Sequence, residues 1–206
     1  MTILTDRLKV ITEKIRQDFT IRDAAREKLL PLCREAIRCC SQSIRALHRR
    51  QFDSAEKELK TASDILNKAF KATGSYNELN NAGYYRDAQK ELAEASLTLA
   101  LVTDKQLPTP EELSIEPSAY LNGLAEAACE LRRFLLDSIR RDDLKKVESI
   151  MESMDDIYDT LIVMDFPDTI TGGLRRNTDI VRGVLEKTRG ELTLIMRQKN
   201  LEDMLK

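Results

Sequence analysis

KELAEASLTLALV, residues 90–102, is a helical segment with two different halves. From Ala95 to Val102 every side chain is apolar or small, and a helix that is apolar all round is buried on most of its surface. At the mouth of that run stand Glu91 and Glu94, whose i,i+3 spacing puts both carboxylates on one helix face. A buried helix needs helices around it, and the flanking sequence supplies them. Ser75 with Glu78 opens this helix, which is expected to run to about Thr103, and Gly74 is the C-terminal stop of the helix before it. That earlier helix starts at Asp53 with Glu56. From Thr5 to Arg50 the period is helical again, interrupted by Pro31, so a kink or two consecutive helices are expected; Thr20 with Asp23 marks a weak restart.

Downstream, Asp104–Ser118 carries Pro108, Pro110 and Pro117 and reads as a loop. Helices follow over about Ser118–Arg140 and Asp142–Val163. A break falls at Phe166-Pro167, and Gly172-Gly173 precede a last helix to about Gln198. No strand-like alternation occurs. The expected fold is all-α, with about six to seven helices in a layered antiparallel array forming a single domain over residues 1–206.

Composition agrees. Charged residues make up 33% and hydrophobic residues 42% of the 206, with 7 Gly, 5 Pro and no Trp, the balance of long helices. The formal net charge of -2 rules out a whole-protein basic field, so nucleic acid would have to meet a local patch. Cys33, Cys39, Cys40 and Cys129 form no CxxC pair and lie in apolar helical stretches, which reads as buried thiols of a reducing compartment. No apolar run reaches the roughly 18 to 20 residues of a membrane span, and the N-terminal stretch lacks a signal-peptide core. The cytoplasm is the expected location.

The helix 118–140 repeats the pattern of the first. Glu126 is embedded in LAEAAC and Glu130 follows at i+4, on a face shared with Asn122, Gly123 and Arg133. Four glutamates on two semi-buried helices are costly unless something positive sits between them. A hard cation such as Mg²⁺ or Mn²⁺ suits all-oxygen ligands, with Asp87 as an accessory. Spacing alone leaves two alternatives open, chance proximity in an acid-rich chain and salt bridges to Arg132 or Arg133. His48 is the only histidine and Arg45 stands three residues before it, so Glu-x-x-His di-iron sites and zinc hydrolase motifs are excluded.

Arg34, Arg38, Arg45 and Arg49 fall within a sector of roughly 60° of the helix after Pro31, with His48 about 40° outside its edge. The face beside them, with Cys33, Ile37, Cys40, Ile44 and Leu47, is apolar. Such a basic ridge beside a packing face suits RNA phosphates, with an ordinary solvated face as the alternative. On the last helix Arg175 and Arg182 each precede an acid, Asp179 and Glu186, at i+4, and intrahelical ion pairs account for them.

The segments AIRCCSQSIRALHR (36–49), KELAEA (90–95), YLNGLAEAACELRR (120–133) and GGLRRNTDIVRGVLEKTRGEL (172–192) resemble the translin/TRAX family in order and spacing across nearly the whole chain. The resemblance implies a fold of about seven helices and a closed, barrel-like homo-oligomer, hexamer to octamer, enclosing RNA or single-stranded DNA. Its TRAX side implies Mg²⁺-dependent endoribonuclease activity, with catalytic and metal-binding acids at Glu91, Glu94, Glu126 and Glu130. The basic ridge read from the helical spacing, Arg34, Arg38, Arg45, His48 and Arg49, would then hold the nucleic acid. Glu126 replaces an Asp of TRAX-like members. Its translin side implies a non-catalytic nucleic-acid-binding protein.

Overall fold

The computed structural model describes residues 3–73 and 76–205. Gly74 and Ser75, expected as a helix stop and start, lie outside the described residues. Among those described, six long helices and three one-turn helices form the architecture, and no strand is present. The helices are α1 (Ile3–His48), α2 (Phe52–Thr73), α3 (Asn77–Asn80), α4 (Gly83–Val102), α5 (Pro110–Leu113), α6 (Pro117–Ile139), α7 (Leu144–Ile162), α8 (Asp168–Thr171) and α9 (Leu174–Met204). No described helix is long and apolar enough to cross a membrane.

α1 and α2 pack on each other and on α4, α4 packs on α6, and α7 and α9 cover the far side of α6. α4 therefore lies between the α1–α2 pair and α6, which is why Ala95–Val102 carries almost no polar surface; Ala95, Leu97, Thr98 and Leu99 are all buried. Leu92, Leu97, Leu131 and Leu135 are almost completely withdrawn from solvent, each of which stabilises the core by about 1.5–3 kcal/mol.

Pro31 does not divide the first segment. α1 is one helix of 46 residues, about 69 Å long, and Thr20 donates its hydroxyl back to the Arg16 carbonyl instead of opening a new helix. Pro31 is exposed, so water can satisfy the carbonyl that its missing N–H leaves free. The side chains from Leu4 to Gln17 are all exposed, Leu8, Ile11 and Ile15 among them.

The helix expected from residue 76 is broken instead. Ala82 takes an extended conformation (φ -66°, ψ 137°) and α4 starts at Gly83, since Asn80, Asn81 and Gly83 are weak helix formers. The proline-rich loop contains α5, closed by a capping box. Thr109 Oγ1 accepts from the Glu112 N–H at 3.2 Å and the Thr109 N–H donates to Glu112 Oε2 at 2.8 Å. Pro117 sits in the first turn of α6, where its missing N–H costs nothing. At the α8–α9 junction Gly172 and Gly173 both adopt positive φ (64° and 88°), a turn that glycine makes without strain.

Candidate functional site: an acid cluster beside a basic ridge

Gly123 sets how closely α4 and α6 approach. A Cβ at this position would lie 2.5 Å from Ala93 Cβ, 2.7 Å from the Lys90 carbonyl and 2.9 Å from the Glu94 amide. The bare glycine therefore lets the two backbones touch where both carry their glutamates. Ala93 meets Gly123 while Lys90 meets Glu126, so the helices run antiparallel. One turn beyond Gly123 on one helix and beside Ala93 on the other, Glu126 faces Glu91 and Glu94.

Carboxylate oxygens of Glu91, Glu94 and Glu126 all lie within 4.8 Å of one another, and all three residues are half-buried. Glu130, the fourth sequence-predicted acid, stands outside this group. Its Oε2 accepts from His48 Nε2 at 2.6 Å. Asp87 is exposed and lies outside the group as well, although its charge is felt by Glu91. Arg132 is not a partner of the cluster, since it pairs with Glu191 of α9 at 2.7 Å. The cation that does reach the acids is Lys90, whose Nζ donates to Glu126 Oε1 at 2.7 Å. Sequence reading misses Lys90, which precedes Glu91 and gives no periodic signal of its own.

Electrostatics follow from this crowding. Burial, then the charges of Glu91, Glu126 and Glu130, push the Glu94 carboxyl up to about 8. Burial first and then the Glu126 charge raise Glu91. Glu130 moves the other way, because its hydrogen bond with His48 favours the ionised form more than burial disfavours it. Lys90 is raised: burial opposes its charge, but the bond to Glu126 and the surrounding acids outweigh it. The thiols that flank the acids are inert by the same physics. Burial and then the Glu126 charge push Cys129 up to about 11, and burial and then the Glu91 charge raise Cys40 well above the ordinary thiol range. Three mutually repelling carboxylates held together by the meeting of two helices, with one lysine to offset them, form an all-oxygen donor set that fits a hard divalent cation.

The basic ridge lies on α1. Arg34, Arg38, Arg45 and Arg49 are all exposed. Arg38 is 3.5 Å from Glu35, and the other three make no ion pair with the described residues. His48 is different, with a side chain only 5% exposed and turned inward onto Glu130. Around the helix it stands about 40° from Arg34 and about 60° from Arg45, between the core face and the ridge. The ridge and the acids therefore adjoin, with His48 at their border. Arg50, missed by the sequence reading, stacks over the Phe134 ring at 5.2 Å from its centroid, directly after the helix ends.

The remaining conspicuous polar group is structural. Asn122 is buried, and its Nδ2 donates to the Thr171 carbonyl at 2.6 Å and the Ser118 carbonyl at 2.7 Å, while its Oδ1 accepts from Asn177 at 2.7 Å. It ties α6 to α8 and α9. On α9 the expected i+4 pairs are replaced. Arg175 reaches Asp165 at 2.8 Å, Arg182 reaches back to Asp179 at 3.2 Å, and Arg189 pairs with Asp155 of α7. For Arg175 and Arg189 the residue 165 turn and the α7–α9 contact bring more distant acids within reach, whereas Arg182 keeps a local partner one turn back instead of one turn ahead.

No family model matches the chain. An uncharacterized protein of Methanocaldococcus jannaschii is 33% identical over 187 residues, covering 90% of this chain and 82% of that protein. The crystal structure of AfC3PO is 34% identical with a TM-score of 0.83, covering 91% of this chain and 97% of that one. The structure of the AfC3PO–duplex RNA complex gives the same identity and coverage with a TM-score of 0.81. Apo-NeC3PO, at 16% identity and a TM-score of 0.75, shares the fold over 95% of this chain. In sequence over nine-tenths of its length and in the stacking of its helices, the chain belongs to the translin family, that of the C3PO proteins it matches.

Proposed function

We propose that this protein binds RNA and cleaves it with the help of a divalent cation, as the TRAX-like side of its family does, within a closed assembly of several copies. The observation that carries the reading is the Glu91–Glu94–Glu126 cluster, built where two buried helices touch. These residues, with Glu130, are the four positions that correspond to the TRAX-like acids. Support for RNA as the ligand comes from the basic ridge that adjoins the cluster and from the relative solved with duplex RNA.

In this reading Arg34, Arg38, Arg45 and Arg49 hold successive phosphates, with affinity that falls as salt rises. Glu91, Glu94 and Glu126 hold Mg²⁺ or Mn²⁺, and Glu130, kept ionised by His48, adds charge at the rim. When bound, the cation supplies a more acidic water and a polarised phosphoryl oxygen. Lys90 must release Glu126, or share it, for the cluster to accept its full charge.

A second reading rests on that same lysine. Lys90 already neutralises Glu126 as a cation would, and Glu130 is outside the cluster. This arrangement favours a translin-like binder with no cleavage. Labelled RNA incubated with the wild type in Mg²⁺, with the wild type in EDTA, and with Glu126→Gln in Mg²⁺ separates the two. The nuclease reading expects cleavage in the first case alone. Binding in all three without cleavage rejects it in favour of the binder.

A further inference from the structure

His48 reaches across the molecule from the last turn of α1 to α6. Its Nε2 is 2.6 Å from Glu130 Oε2, its side chain is 5% exposed, and its Nδ1 is buried without a hydrogen-bond partner. A carboxylate can only accept, so Nε2 carries the proton in this contact. The ring is therefore committed to a single task. A histidine on an RNA-facing ridge would turn at least one nitrogen outward, and this one turns neither.

Glu130 has reason to leave its position. Its charge repels Glu91 and Glu94, and Glu126 sits one turn away on its own helix. Its side chain has three rotatable bonds and is 26% exposed, with the exposed Arg133 as an alternative attraction nearby. A short bond to a ring fixed by the core opposes that drift. Leu47 and Cys40, each 1% exposed, anchor the α1 turns that present the ring. The bond uses Oε2 alone, and Oε1 makes no hydrogen bond with the described residues.

We infer that His48 is a positioning residue, whose Nε2–H holds Glu130 at the rim of the Glu91–Glu94–Glu126 cluster as the fourth carboxylate facing a divalent cation. The arrangement is the carboxylate counterpart of the outer hydrogen bonds that orient metal-binding side chains. It has a second effect. Because α1 also carries Arg45 and Arg49, the bond links the helix of the basic ridge to the helix of Glu126 and Glu130. The inference rests on the cation reading above, and the experiment separates the two.

Mn²⁺ affinity is measured by calorimetric titration of the full chain for the wild type, Glu91→Gln, His48→Met and His48→Gln. Methionine fills the space of the ring but cannot donate, whereas the glutamine amide can. The expected result is clear binding by the wild type, none by Glu91→Gln, affinity weakened about 10- to 100-fold in His48→Met, and most of it restored in His48→Gln. Restoration by a donor is what a purely space-filling role would not produce. Wild-type affinity in His48→Met, or equal losses in the Met and Gln variants, overturns the inference while leaving the cation reading intact. Absence of Mn²⁺ binding by the wild type overturns both. Should His48→Met fail to fold, Glu130→Asp, which shortens the reach to the ring, takes its place, and unchanged affinity there also overturns the inference.

Discussion

Replacing Gly123 by alanine tests whether the close meeting of α4 and α6 builds the acid cluster. The added Cβ would sit 2.5 Å from Ala93 Cβ, 2.7 Å from the Lys90 carbonyl oxygen and 2.9 Å from the Glu94 amide nitrogen. Two of those three neighbours are backbone, so no side chain can swing aside. Restoring ordinary contact at the first requires the helices to part by about 1 Å, because carbon atoms pack best at about 3.5–4.0 Å. Overpacking of this kind costs about 1–3 kcal/mol, and a clash against backbone belongs at the upper end. Alanine recovers about 1 kcal/mol of helix propensity over glycine. The net loss is about 2 kcal/mol, which for a chain of this size lowers the melting temperature by about 4–8 °C. The same separation carries Glu126 away from Glu91 and Glu94, so Mn²⁺ affinity falls with stability. Urea unfolding in EDTA gives the first quantity and calorimetric Mn²⁺ titration the second. A variant within about 0.5 kcal/mol of the wild type, the range of an ordinary surface change, with unaltered Mn²⁺ affinity would refute the reasoning.

Other outcomes follow from the same structure. The Glu94 carboxyl, raised to about 8 in the folded chain, keeps its proton at pH values where the unfolded chain has lost it. The unfolded state then binds fewer protons, so metal-free stability declines as pH rises from about 5 towards 8 and levels off above; melting curves in EDTA check this, and Glu94→Gln should flatten the decline. Asn122→Ala removes three hydrogen bonds, one of them fully buried, and strands the Thr171 carbonyl, at a cost of about 2–4 kcal/mol by urea unfolding. Adding Asn177→Ala to it should cost less than the sum of the single changes. Changing Arg34, Arg45 and Arg49 to glutamine should weaken RNA binding at every sequence and flatten its dependence on salt, by about 0.7–0.9 in the log–log slope for each phosphate that is no longer neutralised. An unchanged slope in filter binding would remove the ridge from the RNA interface.

The long helices and the faces they present follow from the local pattern of the chain. The 3.6-residue period places Glu91 with Glu94 and Glu126 with Glu130 on shared faces, and the all-round apolar run 95–102 requires a helix covered from both sides, as α4 is. Local rules fail where weak signals compete. Pro31 reads as a kink or a division into two helices, and the division does not occur, since α1 runs through it as one helix. Asn80, Asn81 and Gly83 read as helix, yet Ala82 is extended. Which residues meet across helices is a matter of packing. That depends on the register of α4 against α6, set at Gly123, and on the packing of α1 against α2 and α4, which brings His48 to Glu130. Those arrangements join Glu126 to Glu91 and Glu94, add Lys90, and draw Glu130 aside. A periodicity of one chain segment holds no information about the height at which another segment packs against it, so the sequence pairs the four acids on their two helices, while the closing of three of them into one cluster, its lysine and its histidine appear only in the folded molecule.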